Sequence, residues 1–299
     1  DLPDVASFDA SYRLVSLQKA QASAAAVNHT YTYDKVGNRL TETISESTRS
    51  STYNILNQLS KITPSSGAVK SYEWDGAGRL AAVVKGSLRS EFTYDALGRR
   101  ARILEKDNAT IVADRRFVWV GMDLAEERDA ANTVVKRFYM QGFTAGGTSY
   151  FYTRDRQGSV REVLDSTGAI RARYEYDPFG RRVRVSGDIE SDLGYGGHFH
   201  HSVSGLMMTW ARCYDPDTGS WISRDPIGES AGPNLYSYLQ GNPLAGRDAG
   251  GMALDDMSGS AAPAAGGNPG GGGVADYLQT NVLNSTTANL FIGVTGTAL

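Results

Sequence analysis

An all-β fold is predicted by three features of the sequence. A Tyr-x-Tyr-Asp motif recurs up to residue 182, most copies carry a glycine three residues after the aspartate, and no stretch shows the apolar stripe of a helix. The strong copies are YTYDKVGNRL (31–40), YEWDGAGRL (72–80), FTYDALGRR (92–100) and YEYDPFGRR (174–182). Weaker ones are FDASYRL (8–14), YNILNQL (53–59) and YTRDRQGSV (152–160). Their turn positions Asp34, Asn54, Asp75 and Asp95 are spaced by 20, 21 and 20 residues, and Asp155 and Asp177 follow by 60 and 22. Such spacing is the mark of a structural repeat.

Each unit reads as a hairpin. Alternate residues of a strand share a face, so Tyr-x-Tyr sets two rings side by side. Asp-x-x-Gly is turn chemistry, in which the carboxylate accepts from backbone N–H groups ahead of it and glycine supplies the positive φ. A unit of this length holds two strands of about 5 to 6 residues and two turns. One hairpin is not stable alone, so stacked units form a continuous sheet. The most helix-like stretch, Leu17–Val27, has good helix formers but no apolar face, and no helix is expected there.

From residue 183 to Met252 the turn signals crowd together. Asp215-Pro216, Asp225-Pro226 and Asn242-Pro243 punctuate short aromatic runs, as Asp177-Pro178 does just before. Trp210, Trp221, Tyr236 and Tyr238 are the expected core of this region. Beyond it, SGSAAPAAGGNPGGGGV (258–274) has the composition of a flexible linker. The chain thus divides into hairpin repeats at 1–182, a turn-rich segment at 183–252 and a tail at 253–299.

Charge and cysteine content narrow the function. With 33 acidic and 30 basic residues the net charge is −3, which argues against a general nucleic-acid binder. A single cysteine, Cys213, excludes an intrachain disulfide and a zinc site built on several thiolates; it is expected to be a small buried hydrophobe. His198, His200 and His201 have no carboxylate spaced to match, so no metal or other cofactor is expected. No apolar run approaches the ~20 residues of a membrane helix. The opening residues, DLPDVASF, lack a basic start and an apolar run, and the chain reads as a piece of something longer.

The string RCYDPDTGSWISRDPIG, followed by NLYSYLQGNPL and then Asp248, resembles the RHS repeat-associated core, and the repeats before it resemble YD repeats. That core closes the shell of bacterial polymorphic toxins and of the C component of insecticidal toxin complexes. The resemblance implies a secreted or cell-surface β-sheet cocoon: a hollow shell of hairpins with a spiralled plug. Its partners would be the chain's own C-terminal cargo segment and a secretion or toxin-delivery machinery.

The resemblance also implies self-cleavage. The family pattern has aspartates in R-D-P-x-G and D-P-x-G-L, which fall here on Asp225 and Asp248. Two carboxylates brought together cannot both ionise cheaply, so one keeps a proton while the other activates water, as in an aspartic protease. Arg224, next to Asp225, is a candidate supporting residue, although neighbours on a strand face opposite ways; the same holds for Arg247. The family's cut falls at the apolar end of the second motif. This marks the Met252-Ala253 bond, with Gly251-Met252 as the second candidate. Ala249 replaces the usual proline, and Gly250-Gly251 should loosen the approach. On composition alone, Asp225 and Asp248 are turn formers like Asp177 and Asp215. The alternative function is a non-enzymatic cell-surface scaffold or glycan-binding adhesin, in which exposed tyrosines stack on sugars.

Overall fold

The computed structural model describes residues 5–10, 13–19, 27–177, 179–231, 234–239, 246–252 and 255–256. Among these the chain is strand and turn, with short 3-10 turns at Tyr195–Gly197 and Gly228–Ala231 and no α-helix. Among the described residues no helix is long and apolar enough to cross a membrane. Within each of two compact units the described strands, from Val5–Phe8 to Arg182–Gly187, pair side by side in a sheet. Successive strands pair antiparallel, as stacked hairpins require. Of the helix-like stretch, Leu17 to Lys19 and Val27 are in strands; residues 20–26 lie outside the described residues. The chain divides into two compact units, residues 1–91 with 105–112, and residues 92–104 with 113–299.

In the first unit the repeat motif explains its own geometry. Asp34 Oδ1 accepts from the N–H of Val36 and Asn38 at 3.0 and 2.9 Å. Asn54 and Asp75 do the same two and four residues on. Gly37 and Gly78 have φ of +97° and +78°, and Asn57 takes that place at +61°, the conformation that glycine and asparagine reach most easily. The strand register slips by one residue just before each turn, at Thr32/Tyr33, Thr52/Tyr53 and Glu73/Trp74. The bulge swings the second ring of the motif back toward the preceding hairpin. There Tyr33 donates to the Leu14 carbonyl (2.8 Å), Tyr53 to Arg39 (3.0 Å) and the Trp74 indole to Leu59 (2.8 Å). The first ring packs inward at Tyr72, which is buried opposite the buried Val83 of the next strand. One ring thus fills the core while its partner bonds one hairpin to the next, worth about 1 kcal/mol per link.

The second unit continues the pattern and adds two turns that lack the full motif. Asp129 and Asp165 each accept from N–H groups two and four residues on, as Asp95, Asp155 and Asp177 do. Neither new turn follows a Tyr-x-Tyr pair, and Asn132 stands where the first would have glycine. A core of Phe138, Phe143, Val160, Val163, Ala172 and Tyr174 lies under these strands. After Gly187 the chain turns back: the Ser191 N–H donates to the Tyr174 hydroxyl, and Asp192 pairs with Arg115 (2.6 Å) and Lys136 (2.5 Å). Burial pushes the Asp192 carboxyl up, but the two cations outweigh it and hold its pKa below the usual range.

Four short strands follow, Phe199–His201, Leu206–Met208, Cys213–Asp215 and Ser220–Trp221, paired as a second antiparallel sheet. Its core is aromatic: Tyr195, Tyr214, Trp221 and Tyr238 are buried with Met207 and Leu239. Trp221 and Tyr238 are therefore central as expected, whereas Trp210 and Tyr236 are only half-buried. Cys213 is buried, and burial pushes its thiol pKa up to about 12.

Candidate active site

Three polar residues from separate turns meet beneath this aromatic core. Arg212 leaves a tight turn whose Thr209 Oγ1 accepts from the N–H of Ala211 and Arg212 at 3.2 and 3.0 Å. Asp225 begins the turn after Trp221 and Ile222; its N–H donates to the Leu235 carbonyl (3.0 Å), and its Oδ1 accepts from the Ile227 N–H (3.0 Å). Asp248 follows the strand Gly246–Arg247, which pairs with Asp255–Asp256. The Gly251-Met252 bond follows Asp248 within the described segment 246–252.

Asp225 and Asp248 converge on a single nitrogen. Arg212 Nη2 lies 2.7 Å from Asp225 Oδ2 and 3.3 Å from Asp248 Oδ2. All three side chains are buried. The guanidinium stacks over the Trp221 ring at 4.3 Å, its Nη1 donates to the Leu235 carbonyl (3.2 Å), and its Nε donates to the Gly251 carbonyl. Asp248 Oδ1 accepts from the N–H of Gly251 at 2.7 Å and of Met252 at 2.9 Å. The Gly251-Met252 peptide is consequently held at both ends, its carbonyl by the cation and its N–H by the carboxylate. Burial raises the Asp225 pKa above the usual carboxylate range, with Arg212 opposing. Burial likewise lowers the Arg212 pKa, against the pull of the two aspartates.

The remaining predicted residues fall as follows. Met252 is buried, with 1% of its surface exposed; Ala253 lies outside the described residues. Arg224 is solvent-exposed, as is Arg247; the cation that touches both acids is Arg212. Sequence reasoning missed it although it heads the RCYDP string, because its partners lie 13 and 36 positions away. The two glycines are tightly enclosed, where sequence suggested a loose approach. A Cβ on Gly250 would come within 3.0 Å of the Trp210 indole nitrogen, and one on Gly251 within 2.5 Å of Thr209 Oγ1.

The histidines do not gather around one point. His198 Nε2 bonds the Asp248 carbonyl at 2.9 Å, and His201 Nδ1 bonds Ser204 Oγ at 2.7 Å. Burial lowers the pKa of His198 to about 4 and of His200 to about 3. Among the described residues no group of three or more His, Cys, Asp or Glu side chains is placed to hold a metal ion.

Comparison with known proteins agrees with this architecture. Residues 128–238 match the model of the teneurin YD-shell family. The tRNA3(Ser)-specific nuclease WapA of Bacillus spizizenii is 30% identical over 247 residues, covering 72% of this chain and 10% of WapA. The double-stranded DNA deaminase toxin A of Burkholderia cenocepacia is 28% identical over 221 residues, 61% of this chain and 15% of that toxin. The chain therefore spans only a small part of the length of these relatives. The crystal structure of TcdB2-TccC3 without its hypervariable C-terminal region shares the fold, with a TM-score of 0.50 and 18% identity over 83% of this chain and 17% of that one. Its hairpin repeats, its β-shell fold and these relatives together show that the chain belongs to the RHS/YD-repeat family.

Proposed function

We propose that the chain is part of an RHS-type toxin shell that encloses a C-terminal effector and cuts itself once, beside Met252, by an aspartic-protease-like reaction. The observation that carries this reading is that Arg212 and Asp248 hold the two ends of the Gly251-Met252 peptide while Arg212 also pairs with both Asp225 and Asp248. In the reaction, one carboxylate takes a proton from water as the water oxygen attacks the scissile carbonyl carbon. The other carboxyl gives a proton to the amide nitrogen as the C–N bond breaks, leaving a new carboxylate and a new amine. Asp225, whose pKa burial raises, is the member suited to hold the proton. Arg212 takes the part of the electrophile: a buried guanidinium N–H on a carbonyl stabilises the charge that develops on its oxygen. A tethered bond needs no capture step, and positioning can supply up to ~7 to 11 kcal/mol of the barrier.

Gripping the 251–252 peptide serves either candidate bond. For a cut at Met252-Ala253 it fixes the acyl side; for a cut at Gly251-Met252 it polarises the bond itself. Intact mass spectrometry of the purified chain distinguishes them, because the short product either begins at Ala253 or carries Met252. Asp225→Asn and Asp248→Asn should each slow the cut by at least about 100-fold, the usual worth of a general acid or base. A chain that stays whole, or a cut that persists in both variants, overturns the reading. The teneurin-type match favours, in that event, the non-enzymatic surface scaffold.

A further inference from the structure

We propose that His198 is a positioning residue for Asp248: by holding the Asp248 main chain it sets the carboxylate on the Gly251 and Met252 amides. The inference rests on the self-cleavage reading for its catalytic consequence, but its geometric core stands apart. His198 Nε2 lies 2.9 Å from the Asp248 carbonyl oxygen, 50 residues away in sequence. A carbonyl only accepts, so the ring donates and is the Nε2–H tautomer. Its Nδ1 is buried and has no partner, so that tautomer is fixed by the one bond it makes.

The ring has little freedom to leave. It packs against Trp221 and Tyr238, with centroids 6.1 and 6.4 Å away. A Cβ on Gly196 would lie 3.2 Å from His198 Cε1, so the Gly196 backbone sits close against the ring. The ring thus holds the main chain of Asp248 from within a packed aromatic cluster. The Asp248 carboxylate in turn receives the N–H groups of Gly251 and Met252, three and four residues further on. A slip of about 1 Å at such a hinge can cost ~100-fold in rate.

The test uses the full chain in two arms. In the Asp225→Asn background, which keeps the chain whole, amide hydrogen exchange of Gly251 and Met252 is measured with His198, His198→Leu and His198→Gln. His198→Leu should speed both amides by about tenfold or more through local opening. His198→Gln, whose side-chain N–H can reach the same carbonyl, should restore protection. With Asp225 intact, the cleavage rate should fall about 100-fold in His198→Leu and recover at least tenfold of that in His198→Gln. Unchanged protection in His198→Leu overturns the proposal, as does equal loss in both variants, which would mean that the ring only fills space. If the unmutated chain stays whole, the self-cleavage reading falls while the exchange arm still decides whether His198 holds Asp248.

Discussion

The repeat turns and the core turns use the same residue differently. In both regions an aspartate heads the turn and its Oδ1 accepts backbone N–H groups just ahead, as at Asp75 and Asp225. The second oxygen makes the difference. Asp75 Oδ2 meets Arg79 at 2.8 Å and Asp95 Oδ2 meets Arg99 at 2.7 Å, each four residues on and partly exposed. Asp225 and Asp248 instead send Oδ2 to the buried Arg212, which belongs to neither turn. A local pair closes its own hairpin; a distant one ties three segments together and leaves charge in a dry place. Turn formers become candidate reactive groups when their second oxygen is aimed at a shared, buried cation.

Removing that cation is the largest expected break in the comparison. Arg212→Met strands two buried carboxylates, and losing one side of a buried pair costs about 3 to 5 kcal/mol. Urea denaturation should show a loss of that order, and the fragment beginning near Met252 should not form. Arg212→Lys should keep part of the stability, but a single ammonium cannot serve both Oδ2 atoms and the Gly251 carbonyl at once.

What sequence could show of this follows the same division. The hairpins were legible because Asp, its N–H partners and the positive-φ residue all lie within five positions, as from Asp34 to Asn38. Asp129 escaped because Asn132 replaces glycine, and Asp165 because no Tyr-x-Tyr pair precedes it. At the core, the two aspartates were identifiable only through the family pattern. Arg212 and His198 were not, since their roles depend on partners 13 to 50 residues away that only folding brings near. The tight fit of Gly250 and Gly251 was hidden for the same reason: Trp210 and Thr209 surround them from another strand turn.

Acid should separate the regions by sign. The Asp75 pKa is lowered by its backbone and Arg79 hydrogen bonds, which outweigh burial; that stabilisation is present above the unfolded value of about 3.9 and is lost as pH falls through the folded one. The Asp225 pKa is raised by burial, so ionisation there penalises the fold at neutral pH, and the penalty is relieved as pH falls through its folded value. Denaturation at pH 6 and pH 4 should therefore show the wild-type chain gaining on Asp225→Asn as pH drops. Against Asp75→Asn, the wild-type chain should lose ground only below about pH 4. A gain of the same sign for both variants would mean that the core aspartate is no different from a repeat one.

Arg79→Ala is the smallest break and the sharpest control. Its salt bridge with Asp75 is short, 2.8 Å, but the arginine side chain is 36% exposed. Water screens such a pair, and ordering two long side chains costs entropy, so exposed ion pairs contribute only about 0.2 to 1 kcal/mol. The turn keeps its Asp75 Oδ1 bonds to the Ala77 and Arg79 N–H groups, which alanine at 79 still supplies. Urea denaturation should thus show a loss within that range. The same variant should cut itself at the wild-type rate, since Arg79 pairs with Asp75 inside its own repeat turn. A loss as large as that of Arg212→Met would show that repeat turns carry the fold through their ion pairs, and that the second oxygen of the aspartate is structural in both regions.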